Sequence, residues 1–156
     1  MCTGIAIAVT ELPTSLLEDG RLADRLYKRE SREEVQFHWW QTPPLIPVQL
    51  DGRLQLMPWG SKDRRSRLPY GGWISRELLN CGTFQNIHAE DVVIPANLGF
   101  HRGTWFLIVE GIKGILIRDR CGPLVYMVTE PSTNYDAADK SRFCHNLLFL
   151  LIIRHI

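Results

Sequence analysis

Cysteine pairing is the first thing this chain lacks. Cys2, Cys81, Cys121 and Cys144 form no CxxC pair and no framework spacing. That excludes a zinc ribbon, a c-type haem attachment site and a disulfide scaffold, and it fits thiols in a reducing compartment. Cys81 and His88 stand seven apart without a second ligand pair, so they read as structural. A charge of one sign is missing too. With 18 basic and 17 acidic residues the formal net charge is +1, so any nucleic-acid or membrane partner must be argued from a local cluster. No long hydrophobic run is present. Ile5-Ala6-Ile7-Ala8-Val9 is short and has no basic flank, unlike a signal peptide. The seven apolar residues 147–153 fall well below a membrane span. Nor is there an internal repeat, a low-complexity segment or a phosphate-binding glycine fingerprint. What is left is one soluble, cytoplasmic, monomeric domain over residues 1–156, with no cofactor and no metal. A chain of this length buries roughly two-thirds of its surface without staples.

Local patterns give strands with a few helices, an α+β class with mostly antiparallel pairing. Residues 3–9 read as a first strand, β-branched and apolar. Ser15-x-x-Glu18 is a capping-box signal that opens a helix over residues 16–32. Phe37-His38-Trp39-Trp40 ahead of Pro43-Pro44 is either core or a stacking platform. Pro47 marks an edge or bulged strand. Residues 45–50 and 53–57 flank Asp51-Gly52, a type I′ hairpin signal. Residues 74–79 form a short helix ended by Asn80-Cys81-Gly82. Residues 92–95 are a buried strand, and 96–99 a turn. A meander follows, with strands at 105–109, 115–118 and 124–129 and turns between them. Ser132 or Thr133 caps a helix to residue 142, ahead of the apolar end.

Two stretches carry chemistry. Cys2 becomes a 1,2-aminothiol if Met1 is removed. Its amine then condenses with an aldehyde to a Schiff base, and its thiol closes a thiazolidine or acts as a nucleophile. Otherwise Cys2 is an ordinary residue beside the start methionine. The loop over residues 57–73 is the second stretch. It sets Lys62, Arg64, Arg65 and Arg67 against one acid, Asp63, with Trp59, Tyr70 and Trp73 on its flanks. Cations neutralise phosphates and rings stack splayed bases, which suits single-stranded nucleic acid. A solvated basic loop with its aromatics in the core is the competing reading.

Six pieces in order resemble the SOS response-associated peptidase (SRAP) family, which handles abasic sites in DNA. They are Met1-Cys2; Thr42-Pro43-Pro44-Leu45-Ile46-Pro47-Val48; Met57-Pro58-Trp59-Gly60; Ser75-Arg76-Glu77; Val93-Ile94-Pro95-Ala96-Asn97 with Gly99-Phe100; and Val125-Tyr126-Met127-Val128-Thr129-Glu130-Pro131. The resemblance implies a mostly β, barrel-like core with a few surrounding helices. It also implies a cysteine that, once exposed as the N-terminus, forms a thiazolidine with the ring-opened aldehyde of an abasic site in single-stranded DNA. An asparagine, a histidine and a glutamate attend that cysteine in the family, and a peptidase role is attributed to it. The candidate catalytic residues are therefore Cys2, His145 and His101. The candidate DNA-binding residues are Trp59, Lys62, Arg64, Arg65, Arg67, Trp73 and Arg76.

This chain departs from the family pattern at several points. Aligning on Glu77 puts Trp73 in the asparagine's place. The segment His101-Arg102-Gly103 lacks the family glutamate, and His101 is either a substitute proton carrier or a surface histidine. The family's Arg-Met-Pro motif is missing. One register makes His145 the catalytic histidine, and another puts Ser141-Arg142 near that position. The family continues through further strands, so a core incomplete at the C-terminus is expected here. Three functions are open: a cross-linker of abasic sites, a single-strand-binding module without the chemistry, and a thiol peptidase or amidase with an N-terminal nucleophile.

Overall fold

The computed structural model describes residues 1–130, apart from 19, 83, 85, 86 and 121. Cys121, the expected helix over 132–142, Cys144, His145 and the apolar end lie outside the described residues. Within them, eleven strands build two sheets, with two short helices, α1 (Thr14–Leu17) and α2 (Arg76–Asn80).

The first sheet runs β2 (Leu26–Arg29), β3 (Arg32–His38), β1 (Gly4–Ala8), β8 (Leu98–His101), β9 (Thr104–Leu107), antiparallel throughout. The second runs β5 (Arg53–Pro58), β4 (Leu45–Leu50), β7 (His88–Ile94), β10 (Ile112–Asp119), β11 (Gly122–Thr129), β6 (Trp73–Ser75). Only β6 and β11 are parallel, Met127 facing Trp73. The α+β, mostly sheet, mostly antiparallel expectation is met. Among the described residues the sheets are two and open. Trp59, just past β5, bridges Val125 of β11, and the Gly60 N–H donates to the Val125 carbonyl at 2.7 Å. The two ends of the second sheet thus approach each other.

Alternating side chains explain the layers. Ile5, Ile7, Val35 and Phe37 of the first sheet meet Ile46, Val48, Ile94, Leu116, Val125 and Met127 of the second in one core. The intervening residues Ile115, Ile117, Tyr126 and Val128 point the other way, into a second cluster with Leu68, Ile74 and Phe84. This period of two is what a sheet buried on both faces requires.

Several expectations are corrected. The helix over 16–32 does not form. Here α1 ends at Leu17, its N-cap is Pro13 without a side-chain bond, and Ser15 caps nothing. A 3-10 segment, Gly20–Arg25, follows and buries Leu22 and Arg25. The chain then enters the hairpin β2–β3, turning at Glu30 with φ +52°. Weak helix propensity loses here to strand pairing, because Val35 and Phe37 supply an alternating buried face. The turn expected at 96–99 is half strand, since β8 already begins at Leu98. It leads into the hairpin β8–β9, which turns on Arg102 and Gly103 at φ +47° and +84°. The 105–129 meander also breaks, because β9 and β10 belong to different sheets. The Asp51-Gly52 hairpin forms as expected, both turn residues at positive φ. Pro47 sits inside the sheet. Without an N–H it limits the β4–β7 ladder, which registers only at Gln49 and Val93. No helix among the described residues is long and apolar enough to cross a membrane.

Candidate functional site

The start of the chain is held between two strands. The Thr3 N–H donates to the Phe100 carbonyl at 2.7 Å, and the Trp39 N–H donates to the Thr3 carbonyl at 3.1 Å. Cys2 is consequently fully buried, and its thiol donates to the Gly4 carbonyl at 2.7 Å. Gly99 makes room for it, since a Cβ there would stand 3.2 Å from the Cys2 Sγ and closer still to Phe106. Burial pushes the thiol up from 9.0 to about 11, against the smaller opposing pull of the Gly4 and Phe100 backbone and the terminal charge. As folded with Met1 in place, Cys2 is a protonated, covered thiol.

Met1 is the exposed part of this end. His101 Nδ1 lies 3.4 Å from the terminal nitrogen and also against the Met1 carbonyl oxygen. The tautomer decides which contact is a hydrogen bond. Partial burial holds the His101 imidazole below its usual pKa, opposed by the Met1 backbone contact. The nitrogen of Cys2 is bonded to the carbon bearing that oxygen. His101 therefore stands beside the group that becomes the α-amine when Met1 is lost.

Trp73 reaches the same residue from the second sheet. Its indole N–H donates to the Cys2 carbonyl at 2.9 Å. Its ring meets Trp39 at 5.5 Å and Trp59 at 5.7 Å, both edge-on. Trp59 is fully buried and donates to the Gly72 carbonyl at 2.9 Å. It is core and offers no face to a base, which corrects its place among the candidate DNA-binding residues.

The basic loop is pinned at its base. Ser61 and Gly71 exchange N–H to carbonyl bonds at 2.9 and 2.8 Å. Gly60, at φ +60°, lies so close to the Gly71 carbonyl that a side chain there would collide with it. Lys62, Arg64, Arg65 and Arg67 are all exposed. Lys62 stands over the Trp39 ring at 5.3 Å and donates to the Gln41 carbonyl at 3.2 Å. Arg64 lies over Tyr70 at 4.8 Å. Asp63 is occupied within the loop, accepting from the Arg65 N–H at 2.8 Å. The ion pairs among the described residues involve none of these four cations. Arg76 differs. It pairs with Glu130 at 3.3 Å and Asp91 at 3.7 Å, so its charge is already countered. A shallow cleft of about 270 Å³ between Pro44, Pro58, Leu124 and the loop does not reach Cys2.

Of the candidates, Cys2, His101 and Trp73 come together. Trp39 links them to Lys62, and through it to the rest of the loop. Trp59 supports this assembly from within, Arg76 belongs to a surface ion-pair network, and His145 lies outside the described residues. Two neighbours lie outside the candidate site residues. His38 is buried over Gly4, with its Nδ1 lacking a partner. Trp40 stacks on it at 4.1 Å. Their only sequence signal is the run Phe37-His38-Trp39-Trp40, which serves a core and a platform equally. No group of three His, Cys, Asp or Glu side chains among the described residues suits a metal ion. Compared with known proteins, the chain matches no family model, no curated protein and no solved structure.

Proposed function

We propose that the chain is an SRAP-like, cytoplasmic sensor of abasic sites. In this reading it binds single-stranded DNA and, after loss of Met1, cross-links it through Cys2. The observation that carries the reading is the convergence on the first two residues. His101 and Trp73 contact the two ends of the Met1–Cys2 backbone from different sheets, and Lys62 of the basic loop adjoins through Trp39. The approach of β5 to β11 through Trp59 supports a curled, barrel-like core of the kind the resemblance implies.

The chemistry follows in order. The neutral α-amine of Cys2 attacks the aldehyde carbon of the opened sugar, giving a carbinolamine. Water leaves as the nitrogen lone pair forms the imine. The Cys2 sulfur adds to the imine carbon, its proton passes to nitrogen, and the thiazolidine closes. Overall, one water is released for each cross-link. An α-amine with an ordinary pKa near 7.7–8.0 is already partly neutral near pH 7, and an imidazole beside it delivers the proton with which the carbinolamine hydroxyl leaves as water. His101 is placed for that role.

The buried thiol favours a second reading, a single-strand-binding module without the covalent step. A thiol held up to about 11 under full cover must be released before the ring can close. Denaturing mass analysis separates the two. Protein whose intact mass shows Met1 removed is mixed with single-stranded DNA carrying one abasic site. The cross-linking reading expects an adduct that survives denaturation and disappears in Cys2→Ala. A Met1-free protein that binds the strand and forms no adduct leaves only the binding module.

A further inference from the structure

Trp40 is 56% exposed, yet it is not a loose surface ring. Its inner face stacks on His38 at 4.1 Å and 19°, and its edge meets Phe100 at 5.9 Å. His38 is itself fixed. It lies over Gly4, where no side chain fits, its Nε2 reaches Gln36 at 3.2 Å, and Phe100 and Trp105 close its flanks at 5.5 and 5.7 Å. The turn that carries Trp40 is equally held. The Gln41 side chain accepts from the His38 N–H at 2.8 Å and from Arg25, whose second nitrogen donates to the Pro43 carbonyl at 2.6 Å. The other face of the indole is therefore a flat, pre-oriented apolar surface. A cation lies on the same turn, where Lys62 donates to the carbonyl of the following residue, Gln41, and stands over the Trp39 ring.

An open, rigid ring on the same turn as an ammonium that has no carboxylate partner among the described residues matches the pairing of base and phosphate along a single strand. We infer that Trp40 is a base-stacking ledge for single-stranded DNA, with the adjoining phosphate on Lys62. This rests on the single-strand reading above and extends it. It puts a stacking ring on the first sheet, outside the 57–73 loop, in place of the buried Trp59.

The test removes the covalent step. Cys2→Ala protein is titrated with an undamaged, fluorescently labelled oligothymidylate at two salt concentrations. Adding Trp40→Ala is expected to weaken binding about tenfold, the loss typical of one base–ring stack, with the salt slope unchanged. Trp40→Phe retains most of the affinity. Lys62→Gln lowers the salt slope by about 0.7. Trp40 is more than half exposed, so its variants should keep the parent far-UV spectrum, which is checked first. If the parent binds and Trp40→Ala binds equally well, the ledge is wrong and the single-strand reading survives. If the parent does not bind the undamaged strand, both fail.

Discussion

Cys2 is built to be quiet while Met1 is attached. Its thiol is sealed against Gly99 and Phe106 and donates to its own chain, and burial raises it to about 11. This has a measurable consequence with a definite sign. Between the ordinary value of 9.0 and about 11, the unfolded thiol loses its proton while the folded one keeps it. The unfolded state then binds fewer protons, so stability falls as pH rises through that window. The limit is about 2–3 kcal/mol for two pKa units. Met1-retaining protein should lose thermal stability from pH 9 upward, and Cys2→Ala should remove that part of the slope. Peptide mapping after iodoacetamide should show Cys2 nearly unmodified at pH 7.5 in the folded protein and readily modified in urea. Ready alkylation of Cys2 in the folded, Met1-retaining protein would contradict the buried-thiol geometry.

At the scale of elements, the strongest constraints are close backbone approaches. A Cβ on Gly72 would lie 2.3 Å from the Trp59 indole nitrogen and 3.0 Å from Trp39. Trp59 is fully buried and cannot swing aside. Gly72→Ala should therefore cost about 1–3 kcal/mol by overpacking and shift the tryptophan emission. Gly103 is a useful contrast. It needs only its positive φ, with nothing within 4 Å of an added Cβ, so Gly103→Ala should cost about 1 kcal/mol. Thermal midpoints of the two variants check the order. These cases also show what was legible in advance. Asp51-Gly52 announced its hairpin because a type I′ turn demands positive φ at both residues. Arg102-Gly103 makes a similar turn with a first residue that carries no such signal. Residues 16–32 read as a helix because charge and leucine spacing fit one. The deciding fact was remote, the need to cover the edge of β3. The site was half visible for the same reason. Cys2 and the basic loop are local in sequence. The contacts that assemble them, Trp73 on Cys2 and His101 on Met1, span 71 and 100 positions.

Over the whole molecule, charge is nearly balanced, at +1, but not evenly spread. Among the described residues, four loop cations lack carboxylate partners, whereas Arg29, Arg76, Lys113 and Arg118 are paired. Net charge therefore understates the attraction for a polyanion, and the local cluster sets its salt dependence. If Lys62, Arg64, Arg65 and Arg67 each neutralise one phosphate, the slope of log affinity against log salt should be about −3 for a single strand. Replacing both Arg64 and Arg65 with serine should bring it to about −1.5. Arg76→Ala is the control. Its guanidinium already meets Glu130 and Asp91, so the slope should not move. Cross-linking measured at saturating abasic-site DNA should be unaltered in the double variant, because the loop concentrates the strand and does not touch the Cys2 amine. A slope near zero in the parent, or an equal loss in Arg76→Ala, would take the strand away from this loop. The covalent chemistry would then be left without its binding surface.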